Sequence, residues 1–308
     1  MNKNTRRYHI RNWPQYITAL INRGSLTLWI DHHSINHWLN ARPAAGRGRP
    51  LLYADAAITC ALLIREVYHL PLRQTQGFIL SLFDLLHIDL PVPHYSTLCR
   101  RARSLRIKLL PLSPQQPLHL LIDSSGLKVY GEGEWYVRLR KQYKRRTWRK
   151  THIAMDWESE LIHSAIGSHK DLLDRFAVVD LLDQVHSPLA VVYADGAYDY
   201  KVCYKAIYEK GGEAIIPPKQ KGVLHKQEWM ASRNRNIKQM RRVGLDKWKR
   251  KSGYHRRSLI ETAFFRLKKI FSDRLRSKRT ESQDAEMMIR CAALNRMTSL
   301  GMPDSYAV

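Results

Sequence analysis

Tyr254, Arg257, Glu261 and Lys268 stand at offsets of 0, 3, 7 and 14 along one stretch of the chain. At roughly 100° per residue, an α-helix would bring all four into a stripe about 60° wide. Ile260, Phe264, Leu267 and Phe271 fall in an apolar band directly beside it. A helix of this kind buries the apolar band and keeps a carboxylate, a guanidinium, an ammonium and a phenol along its border. Those groups suit metal-dependent work on a phosphodiester, the carboxylate holding a hard cation and the cations holding phosphate.

Two more acids follow apolar runs. Leu118-His-Leu-Leu-Ile-Asp123 leads into Ser124-Ser125-Gly126, and Leu189-Ala-Val-Val-Tyr-Ala-Asp195 leads into Gly196. Each run reads as a buried strand that ends in a carboxylate. Taken singly, each acid also has an ordinary reading. Asp123 could cap the following turn, Asp195-Gly196 is a common turn pair, and Glu261 could be a surface residue paired with Arg257 at i−4. If the three converge, their charges repel and raise one another's pKa unless a cation joins them. Mg²⁺ takes carboxylate oxygens, water and substrate phosphate, and two such ions can serve both oxygens of an in-line displacement.

The spacing Tyr-x2-Arg-x3-Glu-x6-Lys resembles the YREK pattern of DDE transposases from bacterial insertion sequences, in the insertion-sequence-five-like branch. Further blocks carry the resemblance in the same order. They are Gly-Glu-Gly-Glu-Trp at 131–135, Lys-Arg-Arg-Thr-Trp-Arg-Lys-Thr-His-Ile-Ala at 144–154 and Ala-Asp-Gly-Ala-Tyr-Asp at 194–199, then Ile-Ile-Pro-Pro at 215–218 and Leu-Asn-Arg-Met at 294–297. The resemblance covers most of residues 10 to 303. It implies an α/β, RNase H-like catalytic domain in which Asp123, Asp195 and Glu261 are both catalytic and metal-binding. Asp123 and Asp195 would hold two Mg²⁺ ions, for which Mn²⁺ can substitute, and Glu261 would complete the second site. The implied reaction binds the terminal inverted repeats, cuts the ends with water as nucleophile and joins the freed 3′-OH to target DNA. Two paired ends imply a homodimer or higher oligomer on DNA. A non-transposing nuclease or resolvase on the same fold is the alternative enzyme. A catalytically idle DNA-binding regulator is the alternative from another class, and the intact acids argue against it.

Charge agrees with a nucleic-acid partner. The 308 residues carry 52 Lys and Arg against 27 Asp and Glu, a formal charge of +25. Such an excess strains a compact chain and favours a polyanionic partner. The hydrophobic share of 44% excludes a disordered basic tail. Cys60, Cys99, Cys203 and Cys291 are widely spaced and read as reduced thiols, with neither a zinc pattern nor a disulfide framework. No apolar run approaches the roughly 20 residues of a membrane span. The N-terminus lacks the apolar stretch of a secretion signal. The expectation is a cytoplasmic, nucleoid-associated protein with no membrane partner.

The elements that must position the acids divide at Pro111, Pro114 and Pro117. Residues 1–116 read as a mainly helical N-terminal DNA-binding domain, with a linker-like stretch at 41–50. Its strongly helical part runs from Tyr53 to His87, interrupted at Pro71 and Gly77. A helix over 94–106 would bury Leu98, Ala102 and Leu105 and project Arg100, Arg101, Arg103 and Arg106. It would serve as a recognition helix or as a solvated basic helix. Residues 117–308 read as the catalytic domain, with strands at 118–123, 150–155, 160–166 and 189–195 and a helix at 170–185. An insertion at about 200–250, expected to be loop-rich and to face DNA, precedes the acid helix. A C-terminal helix at 281–300 packs back on the domain.

Tyr254, Arg257 and Lys268 are candidates for DNA phosphate contact. Arg145, Arg146, Arg149 and Lys150 belong to a cluster interleaved with aromatics, suited to backbone neutralisation and base stacking. Trp135 is the candidate stacking ring. The bland reading of the cluster is a solvated hairpin. His152, His163, His169 and His255 have no metal-ligand spacing.

Overall fold

A computed structural model describes residues 8–40, 51–107, 109, 116–129, 148–219 and 222–307. Arg145, Arg146, Trp135 and the linker-like stretch at 41–50 lie outside the described residues. The chain divides into two compact units, Met1–Arg101 with Ala293–Val308, and Ala102–Ala292.

The first unit holds β1 (Tyr8–Ile10) and the helices α1 (Trp13–Asn22), α2 (Leu26–Trp29), α3 (His32–Asn36), α4 (Asp55–Val67), α5 (Leu72–Leu85) and α6 (Tyr95–Arg101). Trp29, Trp38, Ile58, Leu63, Ile64, Ile79 and Leu98 are among its fully buried side chains. Trp38 packs on Phe83 with ring centroids 5.0 Å apart and donates its Nε1–H to Pro91 O at 2.8 Å, so the one polar atom of this ring is satisfied. Pro71 caps α5, as its missing N–H and fixed φ favour. Gly77, expected to break the helix, lies inside α5. Burial of Thr75, Ile79, Leu82 and Phe83 offsets a glycine cost of about 1 kcal/mol. The C-terminal strand β8 (Ser305–Ala307) pairs antiparallel with β1, so the chain end belongs to this unit.

The second unit is built on β2 (Leu118–Val129), β3 (Trp148–Asp156), β4 (Ile162–His169), β5 (Leu189–Tyr193) and β6 (Glu213–Ile215), in the order β4-β3-β2-β5-β6. The short strand β7 (Arg274–Leu275) pairs with the far end of β2. The β2–β3 and β3–β4 pairs are antiparallel, whereas β2–β5 and β5–β6 are parallel. The helices are α7 (Asp174–Asp183), α8 (Lys201–Glu209), α9 (Ala231–Val243), α10 (Leu245–Lys251), α11 (Ser258–Phe271) and α12 (Thr280–Ser299), the last running past the division between units. Three antiparallel strands, a helix and a parallel strand give the mixed α/β, RNase H-like architecture.

Alternation along the strands sorts the two faces. Leu118, Leu120, Ile122, Val192 and Ala194 enter a core with Val178, Leu181 and Leu182 of α7 and Cys203, Tyr204 and Ile207 of α8. The opposite parity is that of His119, Leu121, Asp123, Tyr193 and Asp195. Two elements depart from expectation. β2 continues through Ser124-Ser125-Gly126 to Val129, because β3 pairs with it without a break from Leu120↔Asp156 to Lys128↔Trp148. The insertion is mostly helical, as α8, α9 and α10.

Candidate active site

Register brings two of the acids together. β2 and β5 pair in parallel up to Leu121↔Tyr193, and Asp123 and Asp195 each stand two residues further on. Period-two alternation gives both the same parity. On that side of β2 the next partner is β7, at Lys128↔Arg274, so Asp123 sits in a gap between two neighbouring strands. Crevices at the carboxyl end of parallel strands, where the chain parts to either side, are a common location for ligand sites in α/β folds.

Local bonds fix each carboxylate. Ser124 N–H donates to Asp123 Oδ1 at 2.8 Å. Asp195 caps a short 3-10 turn at Gly196–Tyr198 and accepts from Ala197 N–H at 2.8 Å. Four residues later, Asp199 is buried and clamped by Arg233 at 2.6 and 3.1 Å, by Tyr204 Oη–H at 2.9 Å and by Lys219 N–H at 2.9 Å. These bonds hold its carboxyl below the usual range against the opposing effect of burial. The Asp199–Arg233 pair ties the loop that carries Asp195 to α9 of the insertion. Sequence reasoning missed it, although Asp199 closes the block at 194–199 and Arg233 opens the basic run that follows.

The third acid arrives on α11, which buries Ile260, Ala263, Phe264, Leu267 and Phe271. Glu261 lies in its first turn, with its side chain 60% exposed. The expected single helix from Tyr254 is a 3-10 turn at Tyr254–Arg257 followed by α11. Gly253, at φ +71°, takes a left-handed conformation that glycine adopts without a Cβ clash, and Arg256 N–H bonds back to its carbonyl at 3.0 Å.

Arg257 stands between two of the acids. Its Nη1–H donates to Asp123 Oδ2 at 2.7 Å and its Nη2–H to Glu261 Oε1 at 2.8 Å. Burial pushes the Asp123 carboxyl above its usual pKa and Asp195 adds to the rise, while Ser124 N–H and Arg257 oppose it. For Arg257, burial disfavours the charge, yet Asp123, Tyr254, Glu261 and Asp195 together raise its pKa. Burial, with Asp195 and Asp123 nearby, raises the Tyr254 phenol, which therefore stays protonated and able to donate at neutral pH. Lys268, half-buried on α11, lowers the Asp273 carboxyl together with Lys128 and Arg274, Lys128 acting most strongly.

The donors fit a hard divalent cation in kind, being carboxylate oxygens at a gap in the sheet. Among the described residues no three His, Cys, Asp or Glu side chains gather closely enough to hold a metal ion. The positive charge between Asp123 and Glu261 is that of Arg257.

Arg149, Lys150 and Arg101, expected at the DNA, are bonded within the protein. Arg149 is buried and bonds Asp284, Gln283, Thr280 O and Ser168 O, which makes it an anchor of α12 on the sheet. Lys150 bonds Asp174 at 2.9 Å and Leu172 O at 3.0 Å. Arg101 bonds Asp55 and the carbonyl of Tyr53. α6 ends at Arg101, so Arg103 and Arg106 lie beyond the helix, exposed, as is Arg100.

The sheet order, the parallel β2–β5 pair and the late helix carrying an acid are those of an RNase H-like fold. A family model described as Transposase DDE domain matches residues 114–296, more than half of the chain. A second with the same description matches residues 21–132. The chain belongs to the Transposase DDE domain family. No helix among the described residues is long and apolar enough to cross a membrane.

Proposed function

We propose that the protein is a transposase of the insertion-sequence-five-like, YREK-bearing branch. It binds the terminal inverted repeats of its own element, cleaves the DNA ends and joins the 3′-OH to target DNA. The observation that carries this reading is the shared register and parity of Asp123 and Asp195, with Arg257 linking Asp123 to Glu261.

Asp123, Asp195 and Glu261 would hold two Mg²⁺ ions, or Mn²⁺ in their place, once Arg257 gives up its bonds to Asp123 and Glu261 and the acids draw together. Bound there, the ions would activate the attacking oxygen and stabilise the leaving one. The remaining work falls to this chain's own side chains. Arg257 offers a planar fork to a phosphate beside the cut, and the phosphate competes with Asp123 and Glu261 for it. Lys268 supplies a point charge further along the same helix. Tyr254 donates its phenolic hydrogen and orients the strand. Exposed Arg100 at the end of α6 and Arg103 just beyond it, with Arg145 and Arg146, contribute to holding the ends. Pairing two ends calls for at least two protomers on DNA.

Incubation of the purified chain with pre-cut transposon ends, a target plasmid and Mg²⁺ tests the proposal. Joined end–target products support it. Cleavage without joining supports the nuclease reading, and binding without either supports the regulator.

A further inference from the structure

The basic insertion contains a pocket that the three acids do not use. Its volume is about 270 Å³, and it lies between β6, α9 and α10. Arg235, Gln239 and Arg242 reach it from α9, at i, i+4 and i+7 on one helix face. Lys251 closes it from the end of α10, Glu213 from β6, and Trp248 forms its buried inner wall. Glu213 is paired with Arg235. Among the described residues Arg242 and Lys251 have no ion-pair partner, so the lining keeps two uncompensated positive charges. The indole N–H of Trp248 is buried without an acceptor among the described residues. The Trp248 ring packs against Tyr254, centroids 5.6 Å apart, and Arg257, Asp195 and Asp123 all act on the Tyr254 phenol.

We propose that this pocket is a second phosphate site, which grips a backbone phosphodiester of the DNA on the insertion side of the active site. Uncompensated cations around a concavity call for an anion, and guanidinium with ammonium matches phosphate oxygens. The surroundings favour a polymer over a free anion. Between Arg233 and Lys251 the chain places nine Lys and Arg against the single acid Asp246. Arg233 is paired with buried Asp199 and Arg235 with Glu213, and the other seven cations supply the charge that a polyanionic backbone would neutralise. Through Trp248, a phosphate seated here borders the same Tyr254 that flanks the acids, so the site would fix the strand's approach to them. The inference rests on the reading of the protein as a DNA-processing enzyme.

The test uses the full chain and a fluorescein-labelled, mixed-sequence DNA duplex in EDTA, so that no cleavage intervenes. Fluorescence anisotropy gives the slope of log affinity against log salt for wild type and for the double variant Arg242→Ala/Lys251→Ala. The slope should fall by about one to two units. Lysine acylation followed by mass spectrometry then reads Lys251 in the unaltered chain. The duplex should protect Lys251, whereas inorganic phosphate at equal phosphate concentration should not. An unchanged slope, an unprotected Lys251 or equal protection by free phosphate overturns the proposal. If wild type still binds and cleaves DNA in Mg²⁺, such a result removes the pocket alone. Failure of wild type to bind the duplex would remove the transposase reading with it.

Discussion

Arg257 Nη1–H donates to Asp123 Oδ2 at 2.7 Å, joining residues 134 positions apart in sequence. The bond docks the start of α11 on the centre of β2, and the second arm of the same guanidinium holds Glu261. One side chain thus brackets two of the three candidate catalytic acids. Without its charge, Asp123 would be left half-buried beside Asp195.

Replacing Arg257 should therefore affect both fold and chemistry, in separable amounts. Arg257→Ala should lower stability by about 1–3 kcal/mol, since it strands a half-buried carboxylate. Cleavage should drop by about 100-fold through misplaced phosphate. Arg257→Lys keeps the charge but loses the fork, and should fall between. Thermal unfolding and single-turnover cleavage on the same preparations check this. Loss of stability and of DNA binding in parallel, with no additional loss of cleavage per bound complex, would leave Arg257 a structural partner only.

Arg149 leads to the opposite expectation. It is enclosed by α12 and the sheet, so Arg149→Ala should cost about 2–3 kcal/mol by leaving Asp284 and nearby carbonyls unmatched. The salt dependence of DNA binding should not change. Urea unfolding and a salt titration of anisotropy measure the two effects. A slope reduced by about one unit with stability intact would make Arg149 a phosphate contact after all.

How much of this arrangement is legible in the sequence differs from residue to residue. The apolar runs before Asp123 and Asp195 are readable because burial on one face leaves a clear trace in residue type. The apolar stripe of α11 is readable for the same reason, and every member of it is buried. The end of β2 is not readable, since Ser124-Ser125-Gly126 favours a turn locally and only pairing with β3 keeps it extended. The 3-10 start at Tyr254 depends on Gly253, a residue with no side chain to signal it. Arg149 looks like its basic neighbours, and only the placement of Asp284 and Gln283 on α12 reveals that it is enclosed. The Asp199–Arg233 clamp is hidden for a similar reason, because the two are 34 positions apart and the contact is tertiary.

Acid should weaken the catalytic sheet through His152. This residue is buried on β3, its Nε2 is 2.8 Å from Ser168 Oγ, and burial lowers its pKa from 6.5 to about 4. The unfolded chain takes up this proton at higher pH than the folded one. Its contribution is therefore intact above about pH 6.5 and lost as pH falls towards 4, in total a few kcal/mol. Thermal midpoints measured across that window should fall less steeply for His152→Gln than for wild type. Parallel profiles would mean that His152 is protonated in the fold.

The most direct test of the account is metal-dependent cleavage by single acid variants. Asp123→Asn, Asp195→Asn and Glu261→Gln are each assayed on an end-bearing duplex in Mg²⁺, with binding measured alongside. Each variant should bind the ends within a few-fold of wild type, and cleavage should fall to background in all three. Wild-type cleavage by any one of them would contradict the assignment of these three carboxylates as the catalytic set.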